Sequence, residues 1–570
     1  MAKRDLTKPV RRFFRLLQAE RRDITNIYIY ALFNGLLTLS IPLGIQAIIN
    51  FIQSGRSTTS WGVLVILVLS GLTLAGIFQI YQLTVAERIQ QRLFVNSSID
   101  FAYRIPRLRL GALRANYPPE LINRFFDVMT VQKGLYKLLF DFSVATLQIL
   151  FGLILLSLYH PFFIAFGFFI AALVLFLFRI TSRRGLETSL QESTQKYKAV
   201  SWLEELARSL SSFKMSGGTE LPLERINGHN LNYLKARREH FKILVRQYSI
   251  LIVFKVLIAG SLLLLGGALV FERQMNIGQF VAAEIVIVQI INSVEKLVYS
   301  IETIYDVFTG VEKLGNVTDL GLEEHDREGF TAQDLDKEGP ISVELDKVSV
   351  RSHIWDEPVL RELSLSIEAG EKVGIVGTTG AGKSVVLQLI AGLHEEFEGS
   401  LSFNGWRYSN IKPDSLRRLT GDNLQAEDLF EGTVMENISM GRDDISTDDV
   451  HEALETLGMG RFIKDLQHGI HTQLPASGIG LSSGIRRRII MARSLVGGHR
   501  LMLLEDNWGY LSDEIREIWL ERIIKNPGHT LVLVSNDRDI LQRLDRLYHL
   551  ENGRIQRSGS YEALKDDLPC

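Results

Sequence analysis

Cysteine is almost absent: the single thiol in 570 residues is Cys570. That excludes an internal disulfide framework, a cysteine-built zinc site and a Cys-x-x-Cys redox pair. Its position is also too late for a prenylation box, which needs its cysteine four from the end. An excess of either charge is lacking too. With 63 basic and 65 acidic side chains the formal net charge is −2, so neither a polycationic nucleic-acid binder nor an acidic solvating tail describes the chain. The third absence is a leader pattern. Residues 1–23 carry Lys3, Arg4, Lys8, Arg11, Arg12, Arg15, Arg21 and Arg22, but no compact apolar core ending in a small-residue cleavage site. A removable signal peptide is not expected, and this end is expected in the cytoplasm.

The average composition, 46% hydrophobic and 22% charged, is that of a soluble globular protein, yet the mean hydropathy of +0.11 sums two unlike halves. Apolar runs occupy residues 24–52, 61–85, 140–158, 162–180, 248–271 and 277–299. These are about six runs of the roughly 20 residues a bilayer requires, too many for one soluble domain. The short connections 53–60, 159–161 and 272–276 hold few basic residues, whereas 87–137 and 179–246 are long and rich in Arg and Lys. The long loops and both termini are therefore assigned to the inside of a cytoplasmic membrane. Amphipathic patterns in the long loops predict span helices that continue well beyond the bilayer. Beyond a charged stretch the chain alternates short β-rich and helical runs, as a parallel-sheet α/β domain does. The expected organisation is a cytoplasmic segment 1–22, a transmembrane domain 23–318, a linker 319–339 and a nucleotide-binding domain 340–570. The fold class is a six-span helical membrane domain followed by an α/β P-loop domain.

The strand-like run 371–376 leads into Gly377, Thr378, Thr379, Gly380, Ala381, Gly382, Lys383 and Ser384, and then into a helical pattern over 385–393. This is a phosphate-binding loop in its required context. Glycines let backbone N–H groups close around phosphate oxygens and the helix presents its positive end. Lys383 reaches the β and γ phosphates, and the Ser384 hydroxyl ligates Mg²⁺.

With this loop the chain resembles the ATP-binding cassette (ABC) transporters, as a half-transporter with the membrane domain first. Gln425, ahead of Leu429, Phe430, Glu431 and Gly432, looks like the Q-loop glutamine, which in the family senses Mg²⁺ and faces the membrane-domain coupling helices. Leu481, Ser482, Ser483, Gly484 and Ile485 resemble the signature segment, and Leu501, Met502, Leu503, Leu504, Glu505 and Asp506 resemble Walker B. Residues 92–106, 121–140 and 207–217 are similar to the type I secretion, haemolysin-exporter-like branch, here expected without a peptidase-like domain before the spans. The resemblance implies ATP and Mg²⁺ as cofactors and a dimer, homomeric or with another half-transporter. A periplasmic adaptor and an outer-membrane channel are further partners of that branch. The lipid bilayer is the solvent of the first half, and no nucleic-acid partner is implied.

Departures from the family pattern gather around one phosphate. The family order of Asp then Glu at the end of Walker B is reversed, so Glu505 would hold the Mg²⁺ shell with one methylene too many, and Mg²⁺ tolerates distorted octahedra poorly. Asp506, in the place of the general base, is one methylene too short, and a shift of about 1 Å can cost on the order of 10²-fold in rate. Asn536 stands at the switch-histidine position and carries no positive charge towards the γ-phosphate. Ser483 adds a side chain where the backbone should approach phosphate, while Ser482 and Gly484 keep the pattern. Ile485 replaces a glutamine, and the tyrosine that the family stacks on adenine is missing near Val350, Arg351 and Ser352; His353 or Trp355 either provides a ring face there or packs as an ordinary loop residue. Together these imply a domain that binds ATP and hydrolyses it roughly 10²-fold or more below a consensus site.

In the membrane half, Glu284, Glu295 and Glu302 are spaced so that, at about 100° per residue, they return to within roughly 20° of one helix face. Such an acidic stripe suits basic cargo in a central cavity or, read conservatively, packing with neighbours, and Lys255 is the expected partner of Glu295. Three functions remain open: an ATP-driven exporter of an unidentified cargo, polypeptide among the candidates, a pseudo-ATPase subunit that acts as structural or gating partner of a competent half-transporter or secretion complex, and a lipid or oligosaccharide flippase.

Overall fold

The computed structural model describes residues 7–53, 59–109, 111–112, 118–323, 339–351, 357–394, 396–424 and 429–565. The chain divides into two compact units, residues 1–107 with 116–320 and residues 108–115 with 321–570.

The first unit is helical, as backbone surrounded by lipid must be, because only intrachain hydrogen bonds are available there. Five stretches are long and apolar enough to cross a membrane: Arg21–Gln53, Ser60–Arg107, Glu120–Tyr159, Leu221–Phe271 and Ile277–Thr318. The remaining expected run opens the 47-residue helix Phe162–Arg208, in which Phe162–Ala172 is the apolar part among the described residues. The helices Thr59–Arg104 and Ile277–Thr318 have 46 and 42 residues. At 1.5 Å per residue they reach about 60–70 Å, twice the hydrocarbon thickness, so they continue out of the bilayer as the amphipathic loops predicted.

The first run, expected as one span, is interrupted: one helix covers Arg21–Thr38, Leu39 is outside it, and a second covers Ser40–Gln53. Pro42 is the cause, since its ring meets the carbonyl four residues earlier, that of Thr38, and it has no N–H to donate there. Small residues allow the long helices to touch. A Cβ on Gly310 would come within 2.8 Å of Val131 Cγ2, and one on Gly152 within 3.1 Å of Ile290, the close approach that membrane helices use in place of a hydrophobic driving force. Ahead of the first span, the short helix Thr7–Ala19 packs Phe13 and Leu16 against Val131, Val307 and Val311.

The second unit is built on two larger sheets. The strands are β1 (Val343–Arg351), β2 (Pro358–Ile367), β3 (Lys372–Val376), β4 (Glu398–Phe403), β5 (Trp406–Arg407), β6 (Thr420–Asp422), β7 (Gly432–Thr433), β8 (Gln473–Leu474), β9 (Leu501–Glu505), β10 (Thr530–Val534), β11 (Arg546–Glu551) and β12 (Arg554–Gly559). One sheet runs β12-β11-β3-β10-β9-β6 and a second β2-β1-β4-β5, with β7 and β8 paired apart. Strands β11, β3, β10, β9 and β6 are mutually parallel. Apart from Lys372, Glu505 and Thr530 at their ends, β3, β9 and β10 are continuous apolar runs, buried almost throughout, as expected where both faces of a parallel sheet are covered. In one of the two cores Trp508 and Trp519, both fully buried, meet with ring centroids 4.4 Å apart.

Residues 108–115, which the sequence assigned to the membrane half, cluster with the second unit. Leu108 bridges Leu322 antiparallel, and the Arg109 side chain donates to the Leu322 carbonyl at 3.0 Å. The next residue, Glu323, is buried and accepts both guanidinium arms of Arg417 at 2.5 and 2.9 Å. Arg417 also donates to the carbonyl of Gly392 at 3.2 Å, just beyond the helix Lys383–Ile390 that follows β3.

Candidate functional site

The parallel register brings the sequence motifs together. Ile375 of β3 pairs with Val534 of β10, and Val534 with Glu505 of β9, so three strands end at one level. The loop 377–382 follows the first strand, Ser535 and Asn536 the second, and Asp506 the third. The carboxyl ends of parallel strands are where such sheets gather their ligand-binding loops.

The phosphate loop is as expected, except that its helix begins two residues earlier and ends earlier than predicted, over Lys383–Ile390. Gly377 has φ +155°, and a Cβ there would lie 2.2 Å from the carbonyl oxygen of Leu550. Gly382 precedes the helix with φ +105°, a conformation in which L side chains are strained. Lys383 Nζ donates to the carbonyls of Gly377 at 2.6 Å and Thr378 at 2.9 Å. Burial pushes its pKa down, and the negative charge of Glu505 acts in the opposite sense.

The two reversed carboxylates have different surroundings. Glu505 lies close enough to Lys383 to act on it, and its Oε1 is buried with no hydrogen-bond partner among the described residues. A buried carboxylate oxygen without a donor, beside the phosphate-loop lysine, fits a cation or its water shell. Asp506 has a donor already: Ser535 Oγ donates to its Oδ2 at 2.6 Å. Its backbone N–H donates to Val534 at 2.8 Å, and its pKa is raised by burial, against the hydrogen bond from Ser535. Asn536, one residue further, is exposed.

Two side chains that sequence reasoning missed hold this arrangement. Ser535 fixes Asp506 and also accepts from the Asp537 N–H at 2.9 Å. Asn423 donates to the Glu505 carbonyl at 2.9 Å and accepts from its N–H at 2.7 Å, clamping the backbone of the Walker B end. No motif marks either residue; strand register places them.

Ser482 caps the helix Ser483–Arg493, its hydroxyl accepting from Ile485 N–H at 3.3 Å. Ser483 is exposed, and a Cβ on Gly484 would meet nothing within 4 Å. Ser482, Ser483 and Gly484 make no hydrogen bond to the phosphate loop among the described residues. Gln425, His353 and Trp355 lie outside the described residues.

In the membrane unit the acidic stripe resolves into three situations. Glu295 pairs with Lys255 and accepts from Tyr299 Oη at 2.7 Å. Glu302 lies within electrostatic reach of Arg237. Glu284 is exposed and has no hydrogen bond or ion pair among the described residues. Arg237 is itself paired with Glu192 at 3.3 Å, so of the stripe only Glu295 has an ion pair among the described residues.

Residues 360–508 match the family model described as ABC transporter, and residues 24–294 match the ABC transporter transmembrane region. The alpha-hemolysin translocation ATP-binding protein HlyB of Escherichia coli O157:H7 is 28% identical over 310 residues, covering 53% of this chain and 43% of HlyB. The cyclolysin secretion/processing ATP-binding protein CyaB of Bordetella pertussis is 30% identical over 310 residues, covering 54% of this chain and 43% of CyaB. The chain thus spans less than half the length of these curated relatives. A bacterial Atm1-family ABC exporter, solved with ATP bound, superposes with a TM-score of 0.83 at 20% identity over 96% of each chain, which is a likeness of fold.

Proposed function

From a chain that belongs to the ABC transporters, a multi-pass membrane protein with their transmembrane region and their nucleotide-binding domain in one polypeptide, we propose a half-transporter subunit. It binds ATP with Mg²⁺ at residues 377–384, couples that binding to export across a cytoplasmic membrane, and hydrolyses slowly. Lys383 and the loop N–H groups neutralise phosphate charge, Ser384 and Glu505 hold the metal or its waters, and the metal supplies charge stabilisation to the phosphates. Ser482 and Gly484, on a separate helix, serve the nucleotide of a second copy or of a related half-transporter.

The observation that carries slow hydrolysis is the Ser535–Asp506 hydrogen bond at 2.6 Å. A carboxylate that already accepts a short hydrogen bond, one methylene short of the usual glutamate, is poorly placed to take a proton from an attacking water. Similarity to proteins named for haemolysin translocation and cyclolysin secretion supports polypeptide as the cargo class. A structural or gating role beside a competent partner is the second reading, favoured by the same hydrogen bond.

Binding of a labelled ATP analogue and ATP turnover of the full chain in lipid test the proposal. Tight binding lost in Lys383→Ala, with turnover at least roughly 10²-fold below a consensus transporter, is expected. Unchanged binding in Lys383→Ala overturns the nucleotide site, and consensus-level turnover overturns the slow-hydrolysis reading.

A further inference from the structure

The turn that leaves β10 is fixed from within and from outside. Ser535 Oγ accepts from the Asp537 N–H at 2.9 Å, a local bond that sets the hydroxyl and leaves its own proton for Asp506 Oδ2, 2.6 Å away. Asp537 is held in turn. Its Oδ1 accepts from the Asp539 N–H at 3.0 Å, and its Oδ2 faces the Arg516 guanidinium at 3.4 Å. Arg516 belongs to the helix Asp513–Lys525. It is within electrostatic reach of Asp506, but its side chain makes no ion pair or hydrogen bond with Asp506 among the described residues.

A second pair secures the far end of the same segment. Glu517, the next residue of that helix, accepts from Arg543 Nη1 at 2.6 Å. Between the two pairs, Ile540 and Leu541 are buried in the core that also holds Trp519 and Leu520 of the helix. Residues 537–543 are therefore pinned to one helix by two ion pairs of opposite polarity with apolar packing between them. The end of this segment nearest Asp506 depends on Arg516.

We propose that Arg516 is a positioning residue for ATP hydrolysis: through Asp537 and Ser535 it keeps Asp506 engaged as a hydrogen-bond acceptor and so withholds it from the attacking water. This rests on the slow hydrolysis of the proposed function and names the residue that sets it. Turnover of a locked site follows the small population in which the lock is open. The Arg516 and Asp537 side chains are 32% and 27% exposed, and a partly wetted pair of this kind shifts an equilibrium by up to about fivefold. Arg516→Gln should therefore raise kcat about two- to fivefold and leave the KM for ATP unchanged.

The test is steady-state ATP turnover of the full chain in lipid. Asp537→Asn keeps an acceptor for the Asp539 N–H and loses the attraction to Arg516, so it should match Arg516→Gln and serves in its place if that variant folds poorly. Arg516→Lys keeps the charge and should stay near the wild-type rate. Ser535→Ala removes the hydroxyl that holds Asp506 and should be at least as fast as Arg516→Gln. Adding Arg516→Gln to Ser535→Ala should then gain nothing further, a non-additivity that general loosening of the helix would not produce. Gains that multiply in the double variant overturn the proposal. So do opposite changes in Arg516→Gln and Asp537→Asn, which would mean that the two charges act directly on Asp506. A faster Ser535→Ala beside an unchanged Arg516→Gln refutes this inference and leaves slow hydrolysis standing, whereas an unchanged Ser535→Ala refutes the slow-hydrolysis reading itself.

Discussion

Removing the guanidinium of Arg417 should destabilise the second unit by an amount that its geometry sets. The fork meets Glu323 at 2.5 and 2.9 Å, and the two side chains are 30% and 6% exposed respectively. Breaking a buried pair by deleting one partner costs about 3–5 kcal/mol, because the survivor is left charged and dry. Arg417 is partly wetted, so Arg417→Met is placed at the lower end, about 3 kcal/mol. For a domain of this size that is a fall of roughly 6–12 °C in the melting of the second unit. Scanning calorimetry of the full chain in lipid, without nucleotide, measures it. Arg417→Lys should fall between, since an ammonium keeps the charge and loses the two-armed contact. Pairing Arg417→Met with Glu323→Leu should recover most of the loss, since an apolar replacement of both partners leaves no buried charge. A single-variant loss below about 1 kcal/mol, or a double variant whose losses merely add, would refute this account.

Restoring the family order with Glu505→Asp and Asp506→Glu should raise ATP turnover, and more so with Asn536→His; no gain would mean that the site already works by another geometry or that the signature limits it. Glu284→Gln should reduce export of basic cargo while leaving expression and melting unchanged, whereas Glu295→Gln, which strands Lys255, should lower stability first; the opposite ranking would remove Glu284 from the functional residues. Acid should loosen the second unit through His499 and His529, whose pKa values burial depresses from 6.5 to about 4, helped by the positive charges of Arg442 and Lys372 and opposed at His499 by Asp444. Both are neutral when folded and gain protons when unfolded, so their contribution is complete above about pH 6.5 and lost as the pH falls towards 4. Urea midpoints at about pH 7 and about pH 5 should differ less in His499→Gln with His529→Gln than in the wild type.

The parts legible in the sequence were those whose chemistry is local. A phosphate loop needs glycines, a lysine and a hydroxyl within eight positions, and a span needs an unbroken apolar run, so both could be read from consecutive letters. Depth along a helix is nearly local too, which is why Lys255 could be matched to Glu295. What escaped depends on register between distant segments. Ser535 reaches Asp506, and Asn423 clamps Glu505, only because β10 and β6 flank β9. The same limit applied to the acidic stripe: helical spacing puts three carboxylates on one face, but that Arg237 pairs with Glu192, leaving Glu302 without an ion pair among the described residues, depends on other helices. The interruption at Leu39 was written in Pro42, but the hydropathy of the run concealed it.

The paired indoles of Trp508 and Trp519 give the second unit an optical property of its own. Rings with centroids 4.4 Å apart and inclined at 59° lie close enough for their electronic transitions to couple, and both are shielded from water. Such a pair gives a strong near-ultraviolet circular dichroism band and blue-shifted emission, both sensitive to small rotations of either ring. Trp508 lies two positions beyond Asp506 in the chain, so a rearrangement of the Walker B end reaches it through two peptide units. The protein therefore contains a label-free spectroscopic gauge beside its reversed carboxylates, able to distinguish a segment that moves when nucleotide arrives from one that is already set.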